Sequence, residues 1–197
     1  MKAFRSLTAP VAVLDRADVD TDQIIPKQFL KRIERTGYGE FLFFDWMKDP
    51  DFELRRPEYA RAKILVTGRN FGCGSSREHA AWALQDYGFD AVIAPSFGDI
   101  FRTNAIKIGM LPVVLPSEDV RALADSAAGG GTATVDLEQQ QVVGPRGRVF
   151  AFEFDAFTRD CLLEGLDDIG LTLRREDAID AYERLQTPRV DTTALGV

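Results

Sequence analysis

The sequence predicts an α/β fold with a parallel β-α-β-α-β core and additional C-terminal strands and helices. Three observations carry this. Ile64-Leu65-Val66-Thr67 is a short apolar run that reads as a buried strand, and a glycine-rich loop, Asn70–Arg77, leads from it into helical spacing. Ala91-Val92-Ile93-Ala94 and Leu111-Pro112-Val113-Val114-Leu115 are two more such runs. Between them Ile100, Phe101, Ala105 and Ile108 recur near the helical period. Strands that alternate with helices form right-handed parallel units, and their ligands bind beyond the carboxyl ends of the strands. The loop 70–77 would lie there.

Taken in order, Pro10–Leu14 alternates as a strand, and Asp15–Asp22 is a polar loop whose acids read mostly as solvated. Lys27–Arg32 is a basic segment in an acidic chain, able to serve an anion or to balance nearby acids. Phe41-Leu42-Phe43-Phe44-Asp45-Trp46 is too apolar to leave exposed, so core or a partner surface must cover it. Asp49–Pro57 reads as a polar surface connection. The helix after the glycine loop spans about 76–87 and stops at Gly88; the next runs over 97–108 and stops at Gly109. Ser117–Ala128 is a further helix, capped by Ser117 and ended by three glycines. Thr132–Leu137, Val142-Val143 and Val149–Phe154 read as strands, the last two split by the turn Gly144-Pro145-Arg146-Gly147. In the last strand Phe150, Phe152 and Phe154 share one face. Ala156–Glu164 and Arg175–Leu185 are helical, and 187–197 has no pattern and reads as a mobile tail. No repeat or domain-length linker appears, so the expectation is one domain over 1–197.

Bulk properties narrow the function. A hydrophobic content of 45% with 28% charged residues is that of an ordinary soluble globular protein. A net charge of −7 argues against nucleic acid or an anionic membrane as main partner. The first eight residues lack the apolar core of a signal peptide, and two distant cysteines, Cys73 and Cys161, read as free thiols in a reducing cytoplasm. One histidine and two cysteines make the chain a poor candidate for a structural zinc site or a four-cysteine cluster. Any metal chemistry is therefore expected on another chain.

The loop Asn70-Phe71-Gly72-Cys73-Gly74-Ser75-Ser76-Arg77 carries the chemistry. A helix start offers free N–H groups to an anion, Ser75 with Glu78 fits a capping box, and Arg77 adds a fork suited to carboxylate or phosphate. Spacing alone leaves a plain tight turn with a solvated arginine equally open. The loop fits neither the P-loop pattern nor Gly-x-Gly-x-x-Gly, so nucleotide is disfavoured. His79, among alanines, reads as structural, and Cys73 as a small loop residue; Asn104 is a polar residue in an apolar helix that could touch the loop.

Four separated segments then meet a known family. Val19-Asp20-Thr21-Asp22-Gln23-Ile24-Ile25-Pro26-Lys27-Gln28-Phe29-Leu30, Asn70–Ala80, Ile93-Ala94-Pro95-Ser96-Phe97 and Gly165–Leu173 resemble the small subunit of 3-isopropylmalate dehydratase. The resemblance implies a swivelling β/β/α domain of the aconitase superfamily. It implies no cofactor on this chain, and a 4Fe-4S cluster on an iron–sulfur large subunit that is its heteromeric partner. The reaction implied is the isomerisation of 2-isopropylmalate to 3-isopropylmalate by dehydration and rehydration in leucine biosynthesis. By the same resemblance Ser75 is the base that takes a carbon-bound proton, and Asp22 is an active-site acid. Ser76 and Arg77 bind substrate carboxylate, Arg32 or Lys31 is a candidate for a second cation, and Phe29 and Leu30 select the isopropyl group. A citraconate- or dimethylmalate-type substrate, or a stand-alone anion-binding module, are the competing readings.

Overall fold

Four largely apolar runs form one parallel half-sheet, whose inner members are buried on both faces and so must be covered on both. In the computed structural model, which describes residues 1–31 and 34–186, these are β1 (Ser6–Leu14), β2 (Ile64–Thr67), β3 (Ala91–Ala94) and β4 (Leu111–Val114). Three more strands, β5 (Thr132–Asp136), β6 (Gln141–Val143) and β7 (Val149–Ala151), extend the sheet in the order β4-β3-β2-β1-β5-β6-β7. Pairing is parallel from β1 to β4, with Val11 opposite Ile64 and Val66 opposite Ile93. It is antiparallel from β1 through β5 and β6 to β7, where Thr8 faces Thr134 with their hydroxyls 2.8 Å apart.

Alternation along the strands divides the core in two. Ala12, Leu14, Leu65, Val92 and Ala94 point to a cluster shared with α2 (Glu78–Tyr87) and α3 (Asp99–Lys107). Val11, Ile64, Val66, Ile93 and Val113 point to the other, shared with α4 (Ser117–Ala127) and with Leu162 of α5 (Ala156–Glu164). A further helix of one turn, α1 (Thr21–Ile24), follows β1.

Outside the site the structure departs from the sequence reading in several places; β1 starts at Ser6 rather than Pro10, and Asp168–Leu173 forms a helix that the sequence reading lacks. Residues 49–57 are not a mere surface connection, since short 3-10 turns there bury Phe52 and Leu54. The Arg16 guanidinium lies 4.3 Å from the Trp46 ring centroid and 5.2 Å from that of Phe52, and pairs with Glu53 at 3.0 Å. These apolar side chains recruit what composition alone assigns to solvent. Ser117 does not cap α4; Pro116 is the N-cap, and Ser117 is already helical. The final strand ends at Ala151, although Phe150 and Phe152 keep the expected buried face. The run Phe41–Trp46 meets its expectation, with Leu42 and Phe43 fully buried.

Contacts group the chain into two compact units, Met1–Gly165 and Leu166–Val197. The second holds α6 (Asp168–Leu173), whose Asp167 cap accepts from Gly170 N at 2.8 Å, and α7 (Glu176–Leu185). Neither helix contains a buried residue. The tail expected at 187–197 lies outside the described residues.

Candidate active site

Three loops leave the carboxyl ends of β1, β2 and β3, and backbone bonds zip them together. Gly72 N donates to Val19 O at 2.7 Å, Thr21 N to Cys73 O at 2.9 Å, and Asp18 N to Arg69 O at 2.9 Å. On the other side Phe71 N donates to Ser96 O at 3.1 Å, and Gly98 N to Phe71 O at 2.9 Å. The approach is close enough to specify glycine. At Gly72, φ is +72°, and a Cβ would stand 2.2 Å from Phe101 Cγ. At Gly98, a Cβ would stand 2.5 Å from the carbonyl oxygen of Gly72.

Helix α2 begins at Glu78, with Arg77 in an extended N-cap conformation and no side-chain cap. The expected capping by Ser75 is therefore wrong, for a local reason. Gly74 turns the chain at φ +89°, and the Thr21 hydroxyl donates to Ser75 O at 3.0 Å, which holds Ser75 in the loop before the helix starts. Freed of capping, the Ser75 and Ser76 side chains are exposed, and neither hydroxyl has a partner among the described residues.

Arg77 and Asp22 meet. The guanidinium is largely buried, its side chain 12% exposed, and it grips the carboxylate end-on, Nη2 donating to Oδ2 at 2.7 Å and Nη1 to Oδ1. Nη1 also reaches Ile25 O at 3.4 Å. A guanidinium has five N–H donors in a fixed fork, so this grip leaves the side-on edge, Nε–H with the second Nη2–H, for another carboxylate. The bond from Arg77 holds the Asp22 carboxyl below the usual carboxylate range against a smaller cost of burial, with Arg77 charge and Lys27 assisting. Asp22 is thus held ionised. The acids read as solvated are used instead. Asp20 caps α1 through a reciprocal capping box with Gln23, and Asp18 accepts from Asn70 Nδ2 at 2.9 Å and from Arg69 Nη2 at 3.2 Å.

Phe29 and Leu30 sit half-buried on the 3-10 turn Lys27–Lys31, just after Ile25. Phe29 stacks on Phe41, ring centroids 4.1 Å apart, and meets Phe44 edge-on at 4.8 Å. Arg32 lies outside the described residues. His79 packs against Tyr38 and Trp82, centroids 5.2 and 4.7 Å away, and burial lowers its basicity, as fits a structural histidine. Asn104 is buried, and its Nδ2 has no partner among the described residues.

The donors present do not suit an iron–sulfur cluster. Burial, then the nearby Asp20 and Asp18, push the Cys73 thiol up rather than toward the thiolate a cluster needs. Among the described residues no three His, Cys, Asp or Glu side chains converge as a metal site. Sequence reasoning did not single out Thr21, Asp18, Ser96 or Lys27 as parts of the site. Thr21 and Lys27 lie within the first motif and Ser96 within the third, but no periodicity marks them.

Comparison with known proteins places this geometry in a family. Residues 1–118 match a model of the aconitase C-terminal domain, and 121–156 match a LeuD_N model. Residues 168–189 match a model of the C-terminal domain of the 3-isopropylmalate dehydratase small subunit. A 3-isopropylmalate dehydratase small subunit of Acidobacterium capsulatum is 61% identical over 186 residues, covering 93% of this chain and 90% of that one. One of Leptospira interrogans is 54% identical over 196 residues, covering 94% and 95%. A solved structure of 3-isopropylmalate dehydratase from Methanocaldococcus jannaschii superposes with a TM-score of 0.67 at 28% identity, covering 90% of this chain and 99% of that one. The chain belongs to the family of 3-isopropylmalate dehydratase small subunits, within the aconitase superfamily.

Proposed function

We propose that this chain supplies half of a hydro-lyase active site and, paired with a large subunit, interconverts 2- and 3-isopropylmalate by dehydration and rehydration in leucine biosynthesis. The observation that carries the reading is the exposed Ser75-Ser76 pair, two hydroxyls without a partner among the described residues, beside a largely buried arginine whose Nε has no partner among them either. In this reading Ser75 takes the proton from carbon. Ser76 and the free edge of Arg77 hold a substrate carboxylate, and Asp22 acts as a fixed carboxylate that orients the guanidinium. Phe29 and Leu30 offer the isopropyl group an apolar wall, with Phe29 held by Phe41 and Phe44.

Serine cannot do this unaided. An alcohol near the ~15.7 of bulk water lies about nine units above neutral pH, so ionising it costs on the order of 12 kcal/mol at about 1.4 kcal/mol per unit. A helix N-terminus returns about 1–2 kcal/mol. The remainder must come from Arg77, from further donors and from exclusion of water, or proton transfer must accompany charge development on the substrate. An exposed Ser75 has none of that shelter in the isolated chain. The partner we infer carries a 4Fe-4S cluster, which when bound supplies a Lewis acid for the substrate hydroxyl. In this reading the chain acts as a swivelling domain in the cytoplasm. Among the described residues no helix is long and apolar enough to cross a membrane.

The test is reconstitution with the large subunit and steady-state assay on both isopropylmalates. The isolated chain is expected to be inactive, and measurable turnover by it alone would overturn the reading. In the pair, Ser75→Ala should lower kcat by about 10²–10⁴. Ser75→Asn, which keeps a polar side chain without the hydroxyl, should be equally impaired; full turnover by it would remove Ser75 from the base role.

A further inference from the structure

We propose that Asp18, Asn70 and Ser96 form a polar clasp that positions the Ser75 loop for catalysis, a role that rests on the functional reading above. Each comes from a different loop, after β1, β2 and β3 respectively. Asn70 stands in the middle. Its side-chain Nδ2 donates to Asp18 Oδ1 at 2.9 Å, and its backbone N donates to Ser96 Oγ at 2.8 Å. Arg69 Nη2 closes on the other Asp18 oxygen at 3.2 Å, and Cys73 Sγ lies 3.5 Å from Asp18 O.

The backbone marks the same place. Asp18 and Asn70 both adopt φ of +56°, in the left-handed region that few residues other than glycine enter. Asparagine and aspartate tolerate it because their short side chains find local partners. Here each is the other's partner. Two left-handed residues bonded across two loops fix the direction in which the chain leaves β2, five residues before Ser75. Strained backbone of this kind persists only where its surroundings hold it.

Burial separates positioning from stability. Asp18 and Ser96 are exposed and Asn70 is half-buried, so their hydrogen bonds compete with water and contribute little to folding. What they set is direction, and a displacement of about 1 Å at a reacting group costs about 10²-fold in rate. Asp18→Ala removes both the acceptor and the left-handed tolerance, whereas Asp18→Asn keeps one acceptor oxygen and that tolerance. Ser96→Ala removes only the acceptor for Asn70 N.

In the reconstituted pair, Asp18→Ala and Ser96→Ala should lower kcat by about 10- to 100-fold with KM within about twofold, and Asp18→Asn should recover most of the loss. Melting temperature should be unchanged in Ser96→Ala and fall by only a few degrees in Asp18→Ala, which gives up the left-handed tolerance, and partner affinity should be unchanged in both. In the isolated chain, amide hydrogen exchange at Phe71, Gly72 and Cys73, whose N–H groups bond to Ser96 O and Val19 O across the loops, should accelerate at least about tenfold in Asp18→Ala and stay near wild type in Asp18→Asn. Unchanged kcat in both alanine variants, or a kcat loss that follows the melting temperature, would overturn the clasp, as would unchanged exchange. If the wild-type pair fails to turn over isopropylmalate, the functional reading falls, while the exchange measurement still decides whether the clasp holds the loop.

Discussion

At Asp22 two demands compete, and the side chain of Arg77 decides between them. The carboxylate is half exposed and its ion pair therefore screened, so its contribution to stability is modest. Its direction is nonetheless fixed. Because the folded-state pKa is lowered, the stabilisation is full above the unfolded value, near ~3.9, and is lost as pH falls through the lower folded value. Arg77→Ala should raise the Asp22 pKa toward that ordinary value, measured by carboxyl NMR titration, and should move acid unfolding to higher pH. An unmoved titration would mean that the pair is incidental. Much of this site is legible in the sequence, since Ser75, Ser76, Arg77 and Asp22 all lie in continuous motifs. Their pairing is not legible, because residues 22 and 77 meet only when two loops bond across the sheet end. Nor is the fate of Ser75. A serine three residues before a glutamate satisfies the capping rule, and only the Thr21 bond and the turn at Gly74 pull it out of the cap.

At the scale of elements, the loop after β2 is shaped by what it must pass. Gly72→Ala places a methyl against the Phe101 ring at a backbone angle of +72°. That combination of strain and overpacking should cost about 2–4 kcal/mol, seen as a lowered midpoint in chemical denaturation with an unchanged slope. Gly98→Ala meets a backbone carbonyl rather than a side chain, and relief there requires the loops themselves to separate. The regular elements are readable from the sequence because three-strand parallel units announce themselves as apolar runs between amphipathic helices. The chain between β1 and β2 is not. Besides the single α-helical turn Thr21–Ile24, its described turns are 3-10 and three to five residues long, too short for any period to appear, and its buried aromatics follow no spacing. The helix Asp168–Leu173 escapes for the same reason, at six residues.

For the whole molecule, among the described residues both core clusters are built from residues before Gly165, and α6 and α7 contain no buried residue. A chain ending at Gly165 should therefore fold, with near-wild-type circular dichroism and a melting temperature within a few degrees. Loss of cooperative unfolding would show that the second unit is required. The sheet order has another consequence, for synthesis. β1 lies at the centre, yet it pairs with β2 some fifty residues later and with β5 beyond residue 130. As the chain leaves the ribosome its first strand waits with both edges open, and the antiparallel side cannot close until Thr132–Asp136 has emerged. Nascent chains of intermediate length thus present an unpaired strand edge, which exposes them to aggregation.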